Sequence, residues 1–305
     1  MDMNRKNCII ILLLTFAIIS IFAEQPDTLK IRCIDTQPVL DGRSNDSVWN
    51  KTQWISIDQV WMPWKGSVSS LDYSGRFKVL WSKNANLLYF IAEITDDIFR
   101  DGFVYGGSSF RNYSDYDIFE VFLDPDHSGG MHVFDETGEN GKIWGTNAQN
   151  AFTYHISVNS PPDGKMTHHK TVEDIAGISW TDIRNYSNHL PEFAFRKKGN
   201  TYTYEFSLKA YKDTYKPNFP SENDRDILYV GKIMGLATAY CDDDHSTGKP
   251  IRDNFIGSVH GKESATEWDE AMNQRVFNQT WKNASYFGVA QLVDDNVDLS
   301  AGTKK

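Results

Sequence analysis

Two acidic runs and four tryptophans are the residues of this 305-residue chain whose types invite chemistry. In "DPDHSGGMHVFD", Asp124, Asp126, Ser128, Gly129 and Asp135 fall at positions 1, 3, 5, 6 and 12 of an EF-hand calcium loop. Asp135 stands where such loops carry a bidentate Glu, and a strand-like stretch precedes the run, so a plain hairpin connection is the stronger reading. In "CDDDHSTG" (241–248), Asp242, Asp243 and Asp244 follow another apolar run. Three adjacent carboxylates repel one another unless water or a hard cation relieves them, and both readings stay open. Trp61, Trp64, Trp144 and Trp281 sit in polar, Gly- or Pro-containing stretches, whereas Trp49 and Trp81 sit in apolar patterns that read as core. An indole stacks on the C–H face of a pyranose without needing charge. Burying roughly 80 Å2 at about 25 cal/mol/Å2 yields ~2 kcal/mol, and a micromolar site needs about 8 kcal/mol. One ring is therefore insufficient, and a second ring with several hydroxyl-directed groups must converge on the ligand. For Trp281, in "FNQTWKNASYFGVAQL" (277–292), the competing reading is a lid over the core edge.

Catalytic signatures are absent. The chain has no G-x-S-x-G, no H-E-x-x-H, no phosphate-cradling glycine loop and no CxxC pair. The adjacent His168 and His169 read as a solvated loop. Two carboxylates could flank a glycosidic bond at hydrolytic spacing, but the abundance of acidic residues makes that a weak signal.

The elements that must position these residues are short and β-rich. Runs at 77–81, 88–94, 118–123, 152–158, 202–208 and 236–240 are aromatic and β-branched, bounded by Gly, Asn, Asp or Pro. A further alternating run closes the chain at 286–292. No long helical period appears; 263–275 and 208–215 are candidates for short helices. The pattern predicts an all-β fold, an antiparallel β-sandwich of jelly-roll type with long polar insertions, spanning about 28–294.

Arg5 and Lys6 precede an unbroken apolar run from Cys8 to Ala23, which reads as an export signal (1–23) ahead of a sandwich at 24–305. The expected location is secreted or periplasmic. The net charge of −10 argues against a phosphate backbone as partner and suits a neutral or cationic ligand. Beyond the signal only Cys33 and Cys241 remain, either paired or as two buried thiols.

Five stretches, in order, resemble carbohydrate-binding module family 9: "VLDGRSNDSVW" (39–49), "VLWSKNANLLYFIAEITDD" (79–97), "DYDIFEVFLDPD" (115–126), "YTYEFSLKA" (202–210) and "WKNASYFGVAQL" (281–292). Ala284 replaces the Pro usual in the closing motif. The resemblance implies a calcium-stabilised sandwich that grips sugar chain ends between two aromatic rings. Trp281 matches one ring, Asn278 a polar contact, and Glu120 the acidic contact of the D-x-x-E strand. His155 aligns where the family has a ligand-contacting Arg. The second ring falls near Ser114, where this chain offers Tyr113 or Tyr116. Asp96 and Asp117 match positions near calcium. The implied function is non-catalytic binding of poly- or oligosaccharide during polysaccharide breakdown, alongside glycoside hydrolases. Alternatives are a hydrolase of O-glycosyl bonds and a divergent sandwich serving surface assembly or another ligand.

Overall fold

A computed structural model of the chain describes residues 28–100, 113–130, 134–135, 143–144, 151–159, 169–173, 189–213, 215, 225–270, 272–281 and 283–296. The export-signal segment, His168, and the side chains of Tyr113, Asp135, Trp144 and His169 lie outside what is described. Strands β1 (Leu29–Cys33), β2 (Ile55–Ile57), β3 (Gln59–Met62), β4 (Tyr73–Ser82) and β5 (Leu87–Asp96) come first. Next are β6 (Ile118–Asp124), β7 (Phe134–Asp135), β8 (Ile143–Trp144), β9 (Phe152–Asn159) and β10 (His169–Glu173). The rest are β11 (Phe193–Lys198), β12 (Thr201–Leu208), β13 (Ile233–Asp242), β14 (Asn254–Gly257), β15 (Glu267–Asp269), β16 (Gln274–Val276) and β17 (Gly288–Val293). Among the described residues no helix is long and apolar enough to cross a membrane.

One hydrogen-bonded path runs β10-β9-β6-β13-β17-β1-β4-β5-β12-β11. Its pairs are antiparallel except at β1, which runs parallel to both β17 and β4 and so joins the two ends of the chain. Ten-residue β13 makes this possible. One of its edges carries β6, while the other gives its first half to β17 and its second half to β14. The path folds back on itself into a β-sandwich, so that rings from β6 and β13 meet rings from β12 and β4. Phe119 lies 5.4 Å from Tyr204, and Tyr73 stacks on Tyr240 at 5.3 Å between centroids.

The seven residues of β6 are all buried, and period 2 explains how. Phe119, Val121 and Leu123 face the opposite layer, whereas Ile118, Glu120 and Phe122 face outward, Phe122 beneath an aromatic cluster. There Phe122 meets Trp61 at 6.3 Å and Phe287 at 5.7 Å. With both faces covered, "IFEVFLD" has no reason to alternate polar and apolar residues.

The opening motif covers the outer face of the other layer. Trp49 packs with Ile34, Val48, Leu80, Tyr89 and Ile91. Its indole N–H donates to Glu205 Oε1 at 2.8 Å, and the backbone N–H groups of Asp41 and Gly42 donate to Oε2 at 2.8 and 2.9 Å. Gly42 has φ +74°, and a Cβ there would stand 2.9 Å from Arg196 Cβ, so this turn requires glycine.

Two expectations are corrected. The stretch 263–275 is no helix but a 3-10 turn leading into the β15–β16 hairpin, whose turn is set by Asp269 Oδ1 accepting from Met272 N at 3.1 Å. The stretch 208–215 is not helical either; Leu208 ends β12 and Tyr211 bridges to Arg225. In both, side-chain capture of the backbone and tertiary pairing outweigh weak helix propensity.

Candidate functional site

The outward face of β9, β6 and β13 gathers the polar residues of the family resemblance. Register places Glu120 opposite His155 on β9 and Ala239 on β13. His155 Nε2 lies 3.1 Å from Glu120 Oε1, and the thiol of Cys241 donates to the same oxygen at 3.2 Å. Arg252 Nη1 reaches Cys241 Sγ at 3.5 Å. Glu120 Oε2 has no hydrogen-bond partner among the described residues. Burial, and after it the negative charge of Glu120, push the Cys241 thiol well above its usual range. Cys241 is therefore a protonated donor here and not a nucleophile. Cys33 is likewise free and buried, so the two-thiol alternative is the one realised.

Trp281 reaches this face through its backbone. Thr153, two residues before His155 on β9 and on the same side, donates from Oγ1 to Trp281 O at 3.3 Å. Asn283 Oδ1 accepts from Ser285 N at 3.0 Å, and Ala284 N donates to Gly130 O at 2.8 Å. Gly130 N donates in return to Ser285 Oγ at 2.8 Å. The "DPDHSGG" run is thus a turn that buttresses the Trp281 loop. Its own carboxylates close it, Asp124 Oδ2 accepting from Gly129 N at 2.8 Å and Asp126 Oδ1 from Ser128 N at 3.2 Å. The rest of that run, with the Asp135 side chain, lies outside the described residues.

Trp281, Asn278 and Tyr116 keep part of their surface exposed, whereas Glu120 and His155 are only 2% and 3% exposed. Tyr113 opens a 3-10 turn, Tyr113–Asp115, that leads into β6 from the end opposite the Trp281 contact. The partners of Glu120 on β13 and beyond it, Cys241 and Arg252, escaped sequence reasoning. Alternation along "TAYCD" was the available signal for Cys241; Arg252 had none.

The metal expectation falls at one end of the sandwich. Asp96 closes β5, Asp117 precedes β6 and Asp242 closes β13; one carboxylate oxygen from each lies within 4.8 Å of the others. All three side chains are buried. Tyr240 Oη donates to Asp96 Oδ2 at 2.7 Å, Asp243 N to Asp117 Oδ1 at 2.8 Å and Asn254 Nδ2 to Asp242 Oδ2 at 3.2 Å. Asp242 Oδ1 has no hydrogen-bond partner among the described residues. Asp72 and Asp244 gather around the same Asp242 within 4.8 Å.

Burial, and behind it the charge of Asp96, push the Asp242 carboxyl up to about 8. Burial likewise raises Asp96 and Asp117 well above the carboxylate range. Three buried carboxylates with an orphaned oxygen could hold a hard cation. Asp242 completes a set of which sequence alignment supplied only Asp96 and Asp117; the triple Asp run was its signal. A neighbouring group, Asp243, His245 and Asp253, already carries its own cations. His245 Nδ1 lies 2.8 and 3.0 Å from the two carboxylates, and Arg100 Nη1 3.1 Å from Asp243.

No curated protein matches this chain. The family described as carbohydrate family 9 binding domain-like matches residues 40–295, from the turn that Glu205 anchors to just past β17. That span contains the Glu120 face, the Trp281 loop and the carboxylate cluster. The chain therefore belongs to the carbohydrate family 9 binding domain-like family, and its partner class is carbohydrate.

Proposed function

We propose that this is an exported, non-catalytic protein that binds poly- or oligosaccharide chains, working beside glycoside hydrolases in polysaccharide breakdown. The observation that carries the reading is the Thr153 hydrogen bond that holds the Trp281 backbone on the face where Glu120 and His155 pair. Trp281 supplies an apolar platform, and Asn278 and Tyr116 supply directional groups at the surface. Glu120 and His155 set the polarity of the face beneath, with Tyr116 at the far end of β6, where the Tyr113–Asp115 turn leads into the strand. Glu120 is paired with an imidazole and a thiol, a fixed polar pairing that supports binding over hydrolysis. Asp96, Asp117 and Asp242 would hold a structural Ca2+ between the layers. The Cys8–Ala23 run supports export.

Calorimetric titration of soluble oligosaccharides against Trp281→Ala tests the reading. The expected loss is about 2 kcal/mol of binding, from the stacked area a ring supplies, with most of the stability retained. A badly destabilised variant with normal sugar affinity, a loss of about 3–5 kcal/mol in folding, would make Trp281 a core lid and remove it from the site. Release of reducing sugar by the unmodified protein would overturn the non-catalytic assignment.

A further inference from the structure

Trp64 lies apart from the Glu120 face. A pocket of about 360 Å3 opens beside the edge strand β3, lined in part by Trp64, Asp58, Lys65, His260 and Glu263. Its ring is fixed from behind. The Trp64 indole tilts against Phe277 at 5.8 Å, and a Cβ on Gly261 would come within 2.5 Å of Trp64 Cζ3. The missing side chain lets the ring lie against the Gly261 backbone. The rim is fixed as well. Trp64 Nε1 donates to Glu263 Oε2 at 3.1 Å, Lys65 Nζ donates to the same oxygen at 2.6 Å, and Arg275 Nη1 lies 3.4 Å from Oε1. Lys65 has φ +56°, an unusual conformation for a residue with a Cβ, and its ammonium sits 5.4 Å from the Trp64 ring centroid. Fully buried Trp61, with its indole N–H on Val259 O at 2.9 Å, packs against Phe122 at 6.3 Å and, at 5.5 Å, against the Phe277 ring that backs Trp64.

We propose that this pocket is a second carbohydrate subsite that takes one neutral sugar ring on the flank of the sandwich. The proposal rests on the carbohydrate-binding reading and adds a site to it. The aromatic surface matches the C–H side of a pyranose, and the fixed rim of carboxylate and ammonium matches neighbouring hydroxyls, each of which both donates and accepts. The volume lies near the small end of small-molecule sites, about 300–1,000 Å3, which suits a ring or two and not a long chain. An acidic sugar is disfavoured, because Lys65 and Arg275 are both engaged by Glu263 and Asp58 adds another negative charge.

The test is a titration of the full chain with β-1,4-linked gluco- and xylo-oligosaccharides of one to six units, followed through the indole N–H signals in two-dimensional NMR. Trp64→Phe and Trp281→Phe assign the two relevant signals by their loss. The expected result is a saturable shift of the Trp64 signal, weakened about tenfold in Glu263→Ala, an exposed position where the fold does not depend on the side chain. Movement of the Trp281 signal alone overturns the second subsite and leaves the parent reading standing. Movement of neither signal overturns both. A Trp64 shift unaffected by Glu263→Ala also overturns the site as built, because its rim would then contribute nothing.

Discussion

Exhaustive chelation at pH 8 is expected to lower the melting temperature by roughly 10 °C, and millimolar calcium to restore it. The size follows from mass action. A cation present at a thousandfold excess over its Kd adds about 4 kcal/mol to the folded state, and each kcal/mol moves a domain of this size by about 2–4 °C. The cause is local. Asp96 belongs to one layer and Asp117 and Asp242 to the other, so three buried negative charges meet where the layers must close. Magnesium is expected to substitute poorly, since it demands tighter octahedral geometry and gives up water reluctantly. An unchanged melting curve after chelation, in scanning calorimetry, would remove the cation from the fold.

The pH dependence of the chelated protein gives a second reading of the same cluster. Burial raises these carboxyl groups in the folded state, Asp242 to about 8 from its ordinary 3.8. A group raised in this way contributes stability that is fully present below its unfolded value and is lost as pH rises through the folded one. The chelated protein should therefore gain stability as pH falls from 8.5 to 6.5. Each proton held by the native state alone adds about 1.4 kcal/mol per pH unit. His189 acts in the opposite direction. Burial lowers it to about 3, so it destabilises the fold progressively as pH falls from 6.5 towards 3. Above 6.5 it is largely neutral in both states, and the comparison is clean. With calcium bound, the carboxylates are ionised and the gain should shrink or reverse. Chemical denaturation across that window, with and without chelator, measures it.

Much of the architecture was legible because its signals are local. The runs that became β4, β5, β6, β9, β12, β13 and β17 are aromatic or β-branched and bounded by turn residues, so composition alone places them. The short strands β2, β3 and β14 escaped because three or four residues exist as strands only through a partner distant in sequence. Ile256 of β14, for example, pairs with Val60 of β3. The site divides in the same way. Asp96 and Asp117 could be aligned, and folding brings them together. Asp72 could not, since its relation to Asp242 and Asp244 depends on how the start of β4 meets the end of β13. Glu120 and His155 are partners of each other, a relation set by the β6–β9 register that no single-strand pattern encodes. In the described part of 124–135, one oxygen each of Asp124 and Asp126 accepts from the backbone of their own turn, a local use of the acids that the EF-hand spacing does not announce.

Replacing Glu205 by Ala is expected to cost about 3–5 kcal/mol of stability without touching the sugar face. Glu205 is fully buried on the outer side of β12 and accepts three hydrogen bonds, from the Trp49 indole and from the Asp41 and Gly42 backbones. Burial raises its pKa in spite of those donors, so the carboxylate carries a desolvation cost that the opening motif only partly offsets. Truncation removes that cost, but it leaves three donors facing a cavity, and a buried unsatisfied donor costs about 1–3 kcal/mol. Trp49 would also lose the bond that orients its ring over Leu80 and Ile91. Glu205→Gln separates the contributions. A neutral amide keeps an acceptor oxygen for one side of the motif but presents an NH2 to the other, so it should recover part of the loss and no more. Denaturant melts of the two variants, beside oligosaccharide titrations at a temperature where both remain folded, give the check. If Glu205→Ala melts like the parent, the opening motif is not held by this carboxylate. If it folds well but loses sugar, the ligand lies on this layer and not on the β6 face.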